Sequence, residues 1–396
     1  MKPRASRPHT VLVILALLGV SALTWATDRP APPEPGGVGT PAGEAAAADP
    51  APRTPYEWRL PAGFPQPRVP ADNPMSEAKV ELGRSLFFDP RLSLDGTFTC
   101  AGCHDPGRAF TDGQTRPRGV TAELHPRNSM SLANVAYSTH LNWDDPAPAD
   151  LEDQLLTPLF GHDPVEMGLS GPAELEARLS PDLDMQLAFA EAFPEQPEPL
   201  NARNAGRAIA AFERTLISGG SDFDRYMYGG NPDALSAEAR RGMRLFFSER
   251  LACSSCHGRF TFSGPVHFEG ARPESTKRRE FHNTGLYDTG DGAYPERNPG
   301  LVRHTGEAAD RGRFKAPSLR NIEVTAPYMH DGSMESLDEV LDHYAQGGRA
   351  PDNPFKDPEV SGFHLTCQER DDLLAFLRSL TDWDFLEDPR FQNPSG

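Results

Sequence analysis

Two strings constrain this chain more than anything else in it: Cys100-Ala101-Gly102-Cys103-His104 and Cys253-Ser254-Ser255-Cys256-His257. At this spacing both thiols can add to the vinyl groups of one haem while the histidine ligates its iron from one side. A zinc or redox Cys-x-x-Cys is the alternative, and a histidine in the same place twice argues against it. The expectation is two covalently bound haems c, so four of the five cysteines are not a disulfide framework.

The strings sit at the ends of an internal repeat. Gly83-Arg84-Ser85-Leu86-Phe87-Phe88-Asp89-Pro90-Arg91-Leu92 recurs as Gly242-Met243-Arg244-Leu245-Phe246-Phe247-Ser248-Glu249-Arg250-Leu251. Each copy follows a serine able to cap a helix, Ser76 or Ser236, and places apolar residues at helical spacing. Each therefore reads as helix, loop and haem site, and two related haem domains in tandem are expected, over 56–225 and 226–396. Between them Asn201 to Ile217 reads as a helix closed by Gly219-Gly220. Ser336 to Ala345 reads as another, stopped by Gly347-Gly348. A last helix starts at Thr366, with Glu369 completing a capping box. Cys367, in its first turn, is assigned no function.

Composition excludes several classes. The 396 residues include 35 Gly and 40 Pro, and 37% are hydrophobic, which argues against a membrane bundle or a coiled coil and for long irregular segments. With 57 acidic against 39 basic residues the formal charge is -18, a field that repels phosphate backbones, so nucleic acid is not an expected partner. Lys2, Arg4 and Arg7 precede an apolar run from Val11 to Leu23 and the small-residue site Thr24-Trp25-Ala26, so 1–26 reads as a signal peptide. That run is shorter than the roughly 20 apolar residues that span a bilayer. Residues 27–55 are nearly all Pro, Ala, Gly and acid and read as a disordered linker. No membrane span is expected after signal cleavage, and the periplasm is the expected compartment.

Beyond the haem strings, the chain carries Pro126-Arg127-Asn128-Ser129-Met130-Ser131-Leu132-Ala133-Asn134, Pro164-Val165-Glu166-Met167-Gly168, Phe314-Lys315-Ala316-Pro317-Ser318-Leu319-Arg320-Asn321 and Ala326-Pro327-Tyr328-Met329-His330-Asp331-Gly332. On these motifs it resembles the bacterial di-haem cytochrome c peroxidase and MauG family, most closely its MbnH-type branch. The resemblance covers Tyr56 to Trp383. It implies a mostly α, loop-rich pair of cytochrome c-like domains, in which the N-terminal haem on His104 meets peroxide and the C-terminal haem on His257 stores and relays oxidising equivalents.

The resemblance also implies residue roles. Gln154, Pro158 and Glu166 match the distal pocket of the first haem, where a carboxylate can take a proton from the attacking peroxide oxygen and return it to the leaving one. The loop between Gln154 and Glu166 is two residues longer than in the family, and its His162 is either a surface residue or one that approaches the iron. Met329, Met334, His343 and Tyr344 are the nearby candidates for the sixth ligand of the second haem. Leu337, Val340, Leu341 and Tyr344 share one helix face, with His343 about 100° away. Tyr344 also holds the position where MauG-like proteins place a ligating tyrosine and the cytochrome-fed peroxidases a methionine. Trp143 resembles the family's inter-haem tryptophan. Asn128, Thr325 and Pro327 match positions that hold a structural calcium ion through oxygen donors.

The expected function is that of a periplasmic peroxidase-class oxidoreductase. It would use hydrogen peroxide to form a high-valent di-haem state and oxidise a residue of an exported partner protein, a tryptophan in the MbnH case, with a copper-binding protein as the candidate partner. Two alternatives stay open: a peroxidase that reduces hydrogen peroxide with electrons from a small cytochrome or cupredoxin, and a pure di-haem electron-transfer protein.

Overall fold

The repeated glycine marks where two helices cross, and it does so twice. In the computed structural model, which describes residues 56–147, 150–258, 260–271 and 280–394, the helix Glu77–Phe87 packs on Ala202–Arg214 and the helix Ala237–Phe246 packs on Cys367–Arg378. A Cβ on Gly83 would lie 1.9 Å from the Ala208 carbonyl oxygen, and one on Gly242 would lie 1.9 Å from that of Asp372. Only a residue without a side chain lets the backbones approach so closely. One turn further on, Phe87 meets Phe212 with ring centroids 5.4 Å apart, and Phe246 meets Phe376 at 5.2 Å. A third ring completes each cluster, Phe110 at 6.0 Å from Phe87 and Phe262 at 5.9 Å from Phe246. The sequence repeat is thus a repeat in packing, and it extends to helices whose sequences show no obvious likeness.

Replacing Gly83 or Gly242 with alanine should force these helix pairs apart and destabilise the protein by about 1–3 kcal/mol, as overpacking usually does. Denaturant unfolding of the haem-loaded protein measures it. Unchanged midpoints in both variants would show that the crossings open without cost.

Capping follows the sequence closely. Ser76 and Ser236 accept hydrogen bonds from the Lys79 and Ala239 N–H groups. Thr366 and Glu369 form the expected capping box, and Ser336 caps Leu337–Ala345. One boundary differs. The helix begun by Asn201 stops at Arg214, short of Ile217, because the segment beyond it bonds elsewhere. The Asn134 N–H donates to the Leu216 carbonyl at 2.7 Å, and the Asn134 side chain pairs with both backbone groups of Ser218.

Ser218 is also bonded from the other half of the chain, by the Asn321 amide to its hydroxyl at 3.0 Å. Asn134 and Asn321 close the related strings Ser131-Leu132-Ala133-Asn134 and Ser318-Leu319-Arg320-Asn321, and both are left-handed, at φ 62° and 60°. Asparagine tolerates this conformation better than most residues. Nearby, buried Arg320 forms a two-pronged pair with buried Asp224, at 2.6 and 2.8 Å.

The architecture is mostly helical and rich in loops, with one two-stranded antiparallel ribbon, Phe281–His282 and Phe314–Lys315, among the described residues. The described residues form one compact unit. Within it, one apolar cluster gathers residues from Val80 to Leu216, a second from Phe223 to Leu380, and a third forms around Trp143, Tyr294, Phe314 and Tyr328. Phe385, Leu386 and Phe391 return from the C-terminus to the first cluster. The signal peptide and linker expected over 1–26 and 27–55 lie outside the described residues. No helix among the described residues is long and apolar enough to cross a membrane.

Candidate functional site

Each Cys-x-x-Cys-His string is followed by a phenylalanine whose carbonyl faces the histidine. His104 Nδ1 lies 2.9 Å from the Phe110 oxygen, and His257 Nδ1 lies 3.2 Å from that of Phe262 and 3.1 Å from that of Pro317. Carbonyls accept only, so Nδ1 carries the proton in both rings and Nε2 keeps its lone pair for a metal. Burial holds both imidazoles in the neutral form, that of His257 down to about 4.

Presenting these carbonyls takes unusual backbone. Phe110 has φ 63° and Phe262 φ 51°, conformations in which a bulky residue is strained. Two serines brace the turns: Ser131 Oγ donates to the Ala109 carbonyl at 2.5 Å, and Ser318 Oγ to that of Thr261 at 2.7 Å. Sequence reasoning does not single out these phenylalanines and serines as site residues. The available signal is an aromatic five or six residues after each string and a Ser-Leu-x-Asn in each half.

The thiols of Cys100, Cys103, Cys253 and Cys256 are free and half-buried. Among the described residues no group of three or more His, Cys, Asp or Glu is placed to hold a metal ion, so the zinc alternative finds no completed ligand set there. Paired thiols beside a histidine with an oriented, available Nε2 fit a covalent haem.

Around the first string the structure places Glu166 near the thiols and beside Pro158. Glu166 is among the charges acting on Cys100, Cys103 and His104. The Met167 N–H donates to the Pro158 carbonyl at 2.9 Å, which pins the Glu166 segment to the short helix Leu156–Phe160. Gln154 ends the preceding helix, Leu151–Gln154, which is tied to Ala202–Arg214 by the Glu152–Arg214 pair at 2.6 Å. One neighbour escapes the sequence reading: His125 Nε2 lies 3.5 Å from Glu166 Oε1. Its signal is its place two residues before Arg127-Asn128. His162 is exposed, which makes it a surface residue. Buried Glu213 also acts on Cys100, and burial raises its carboxyl to about 8.

The second string opens on a cavity of about 240 Å³. Cys253, Cys256, His257, Trp143, Lys315, Met329, His330 and Tyr344 line it. The His330 ring stacks on Phe314, centroids 3.6 Å apart. Tyr344 lies within electrostatic reach of both thiols, and burial raises its phenol, so a neighbouring cation is needed to draw off its proton. Helical spacing sets His343 off the buried face, yet His343 is only 3% exposed. It is buried elsewhere: its Nδ1 accepts the Arg349 N–H at 3.1 Å and it is absent from the cavity wall. Tyr344 counts as half-buried because it faces the cavity. Met334 is fully buried in the third apolar cluster.

Trp143 joins the two regions. Its indole N–H donates to the Asn128 carbonyl at 2.9 Å, and the adjoining Ser129 hydroxyl donates to that of Cys103 at 2.6 Å. On the other side the Lys315 N–H donates to the Trp143 carbonyl at 2.7 Å, two residues before the Pro317 carbonyl that faces His257. Asn128, Thr325 and Pro327 all line the same cavity. The Asn128 amide nitrogen donates to the Gln114 carbonyl at 2.8 Å.

With this geometry established, the chain compares closely with known proteins. A family profile described as di-haem cytochrome c peroxidase matches residues 77–232. The chain is 36% identical over 326 residues to the methylamine utilization protein MauG of Methylorubrum extorquens, covering 82% of this chain and 83% of that protein. It is 35% identical over 335 residues to cytochrome-c peroxidase IdrP1 of a Pseudomonas species, covering 81% and 85%. A crystal structure of a MauG-like protein associated with microbial copper homeostasis is 45% identical, with a TM-score of 0.83, covering 86% of this chain and 100% of that one.

Proposed function

Because this chain belongs to the di-haem cytochrome c peroxidase family, we propose that it directs the oxidising power of hydrogen peroxide onto a side chain of a partner protein. The observation that carries this reading is Tyr344, which lines one cavity with Cys253, Cys256 and His257. An anionic oxygen ligand stabilises ferric and higher oxidation states, whereas a thioether raises the potential and favours simple electron acceptance.

Two haems, held by Cys100, Cys103 and His104 and by Cys253, Cys256 and His257, would supply redox-active iron for the reaction with peroxide. The rest falls to the polypeptide. Glu166 takes the proton from one peroxide oxygen and delivers it to the other, and His125 beside it holds the carboxylate in place. His104 and His257 are aimed by the Phe110 and Phe262 carbonyls. Trp143, buried and hydrogen-bonded to the Asn128 carbonyl, carries charge between the halves. The Asn128 side-chain oxygen, with Thr325 and Pro327 oxygens, would hold calcium, whose preference for hard donors suits them.

A folded partner cannot enter a buried pocket, so oxidation happens at a distance, on a tryptophan or tyrosine docked near the C-terminal half. With a charge of -18, this chain docks fastest with a neutral or basic face. The association of the MauG-like relative with microbial copper homeostasis supports an exported copper-binding protein as that partner, and the periplasm as the place they meet. Trp143→Phe should slow partner oxidation sharply while peroxide still reacts at the first haem, as followed by stopped-flow absorbance. Equal rates of partner oxidation in the two proteins would take Trp143 off the route.

A further inference from the structure

A haem held by Cys253, Cys256 and His257 would carry two propionate carboxylates that need cationic or hydrogen-bonding partners. Lys315 is such a cation. It lines the cavity, and its Nζ donates to the His140 carbonyl at 2.7 Å. An ammonium has three protons to donate, and a neutral carbonyl answers one of them. Burial lowers the pKa of this amine, and among the described residues no carboxylate pairs with it. Glu280, next to the ribbon, is engaged instead by His140 Nε2 at 2.8 Å. Lys315 is half-buried, and an ammonium partly withdrawn from water without a counter-ion is costly. Lys315 pairs across the ribbon with Phe281, whose ring packs on His140 at 4.8 Å, so the strand register sets where the amine points.

We propose that Lys315 is the counter-ion of a propionate of the second haem and fixes that edge of the haem to the Trp143 segment. The same residue makes both connections: it lines the cavity, and its backbone N–H holds the Trp143 carbonyl at 2.7 Å. Lys315 is thus a cofactor-binding residue that sets the spacing between the haem edge and the bridging indole. Its charge also favours the reduced iron, because a nearby cation opposes the extra positive charge of the ferric state.

This rests on the chain carrying two haems, and the experiment keeps the two claims apart. Intact mass of the denatured holoprotein counts haems, and spectroelectrochemical titration gives the midpoint potential of each. Lys315→Gln keeps a donor for the His140 carbonyl but loses the charge, and Lys315→Arg keeps the charge. With two haems present in every protein, Lys315→Gln should shift the second haem's midpoint downward and leave the first unchanged, while Lys315→Arg stays at the wild-type value. An unshifted midpoint in Lys315→Gln overturns the proposal, as does a downward shift in Lys315→Arg, which would trace the effect to packing rather than charge. If Lys315→Gln does not fold, Lys315→Met, which also removes the charge, takes its place in the same titration. A single haem in the wild-type protein would instead sink the di-haem reading.

Discussion

Tyr344→Phe should remove the low-spin signature of the second ferric haem altogether while both haems stay attached. Phenylalanine keeps the ring that fills this part of the cavity wall and deletes only the oxygen, so the change is confined to ligation. Thioether bonds through Cys253 and Cys256 hold the haem whatever happens at the sixth position. Electron paramagnetic resonance of the ferric protein, with its absorption spectrum, reads the outcome. An unchanged spectrum would pass the ligand's role to Met329, which lines the same cavity, and would move the chain towards the cytochrome-fed peroxidases. His343 is a poor substitute, because its ring is held away from the cavity by the Arg349 N–H.

Glu166→Gln should slow the reaction with peroxide by roughly 10²- to 10⁴-fold, the usual contribution of a positioned acid-base group. Glutamine preserves the shape and can still contact His125, but it cannot accept the proton that peroxide must lose. Stopped-flow mixing with hydrogen peroxide, with both haems confirmed by mass, measures the rate. A rate equal to that of the wild type would place the carboxylate outside the pocket, in spite of the backbone bonds from Val120 to Glu166 and from Met167 to Pro158 that hold its segment there.

Much of this is legible in the sequence because the features are side chains with their own signatures. The haem strings, the capping residues Ser76, Ser236, Ser336 and Thr366, and the repeated glycine can all be read directly. Trp143, Tyr344 and Glu166 are readable only through family motifs, since nothing local distinguishes a bridging indole from a packed one. What escapes is work done by backbone atoms. The carbonyls of Phe110 and Phe262 orient both histidines, and a carbonyl has no signature of its own, although a strained aromatic after each string now supplies one. Helix length escapes for a related reason. Propensity runs on from Asn201 to Ile217, and only contacts from Asn134, distant in sequence, take Leu216 and Ser218 out of the helix. Lys315 and His125 are hidden differently, as charged residues that look like surface until the cavity and the Glu166 carboxylate stand beside them.

The central claim is that oxidising equivalents from peroxide leave this protein for a side chain of its partner. The most direct measurement is the intact mass of a co-encoded exported copper-binding protein after anaerobic incubation with the di-haem protein and hydrogen peroxide. The expected result is a mass gain in the partner consistent with oxygen insertion, dependent on both the di-haem protein and peroxide, and located at a tryptophan or tyrosine. An unmodified partner, together with rapid and saturable oxidation of a reduced small cytochrome, would contradict it.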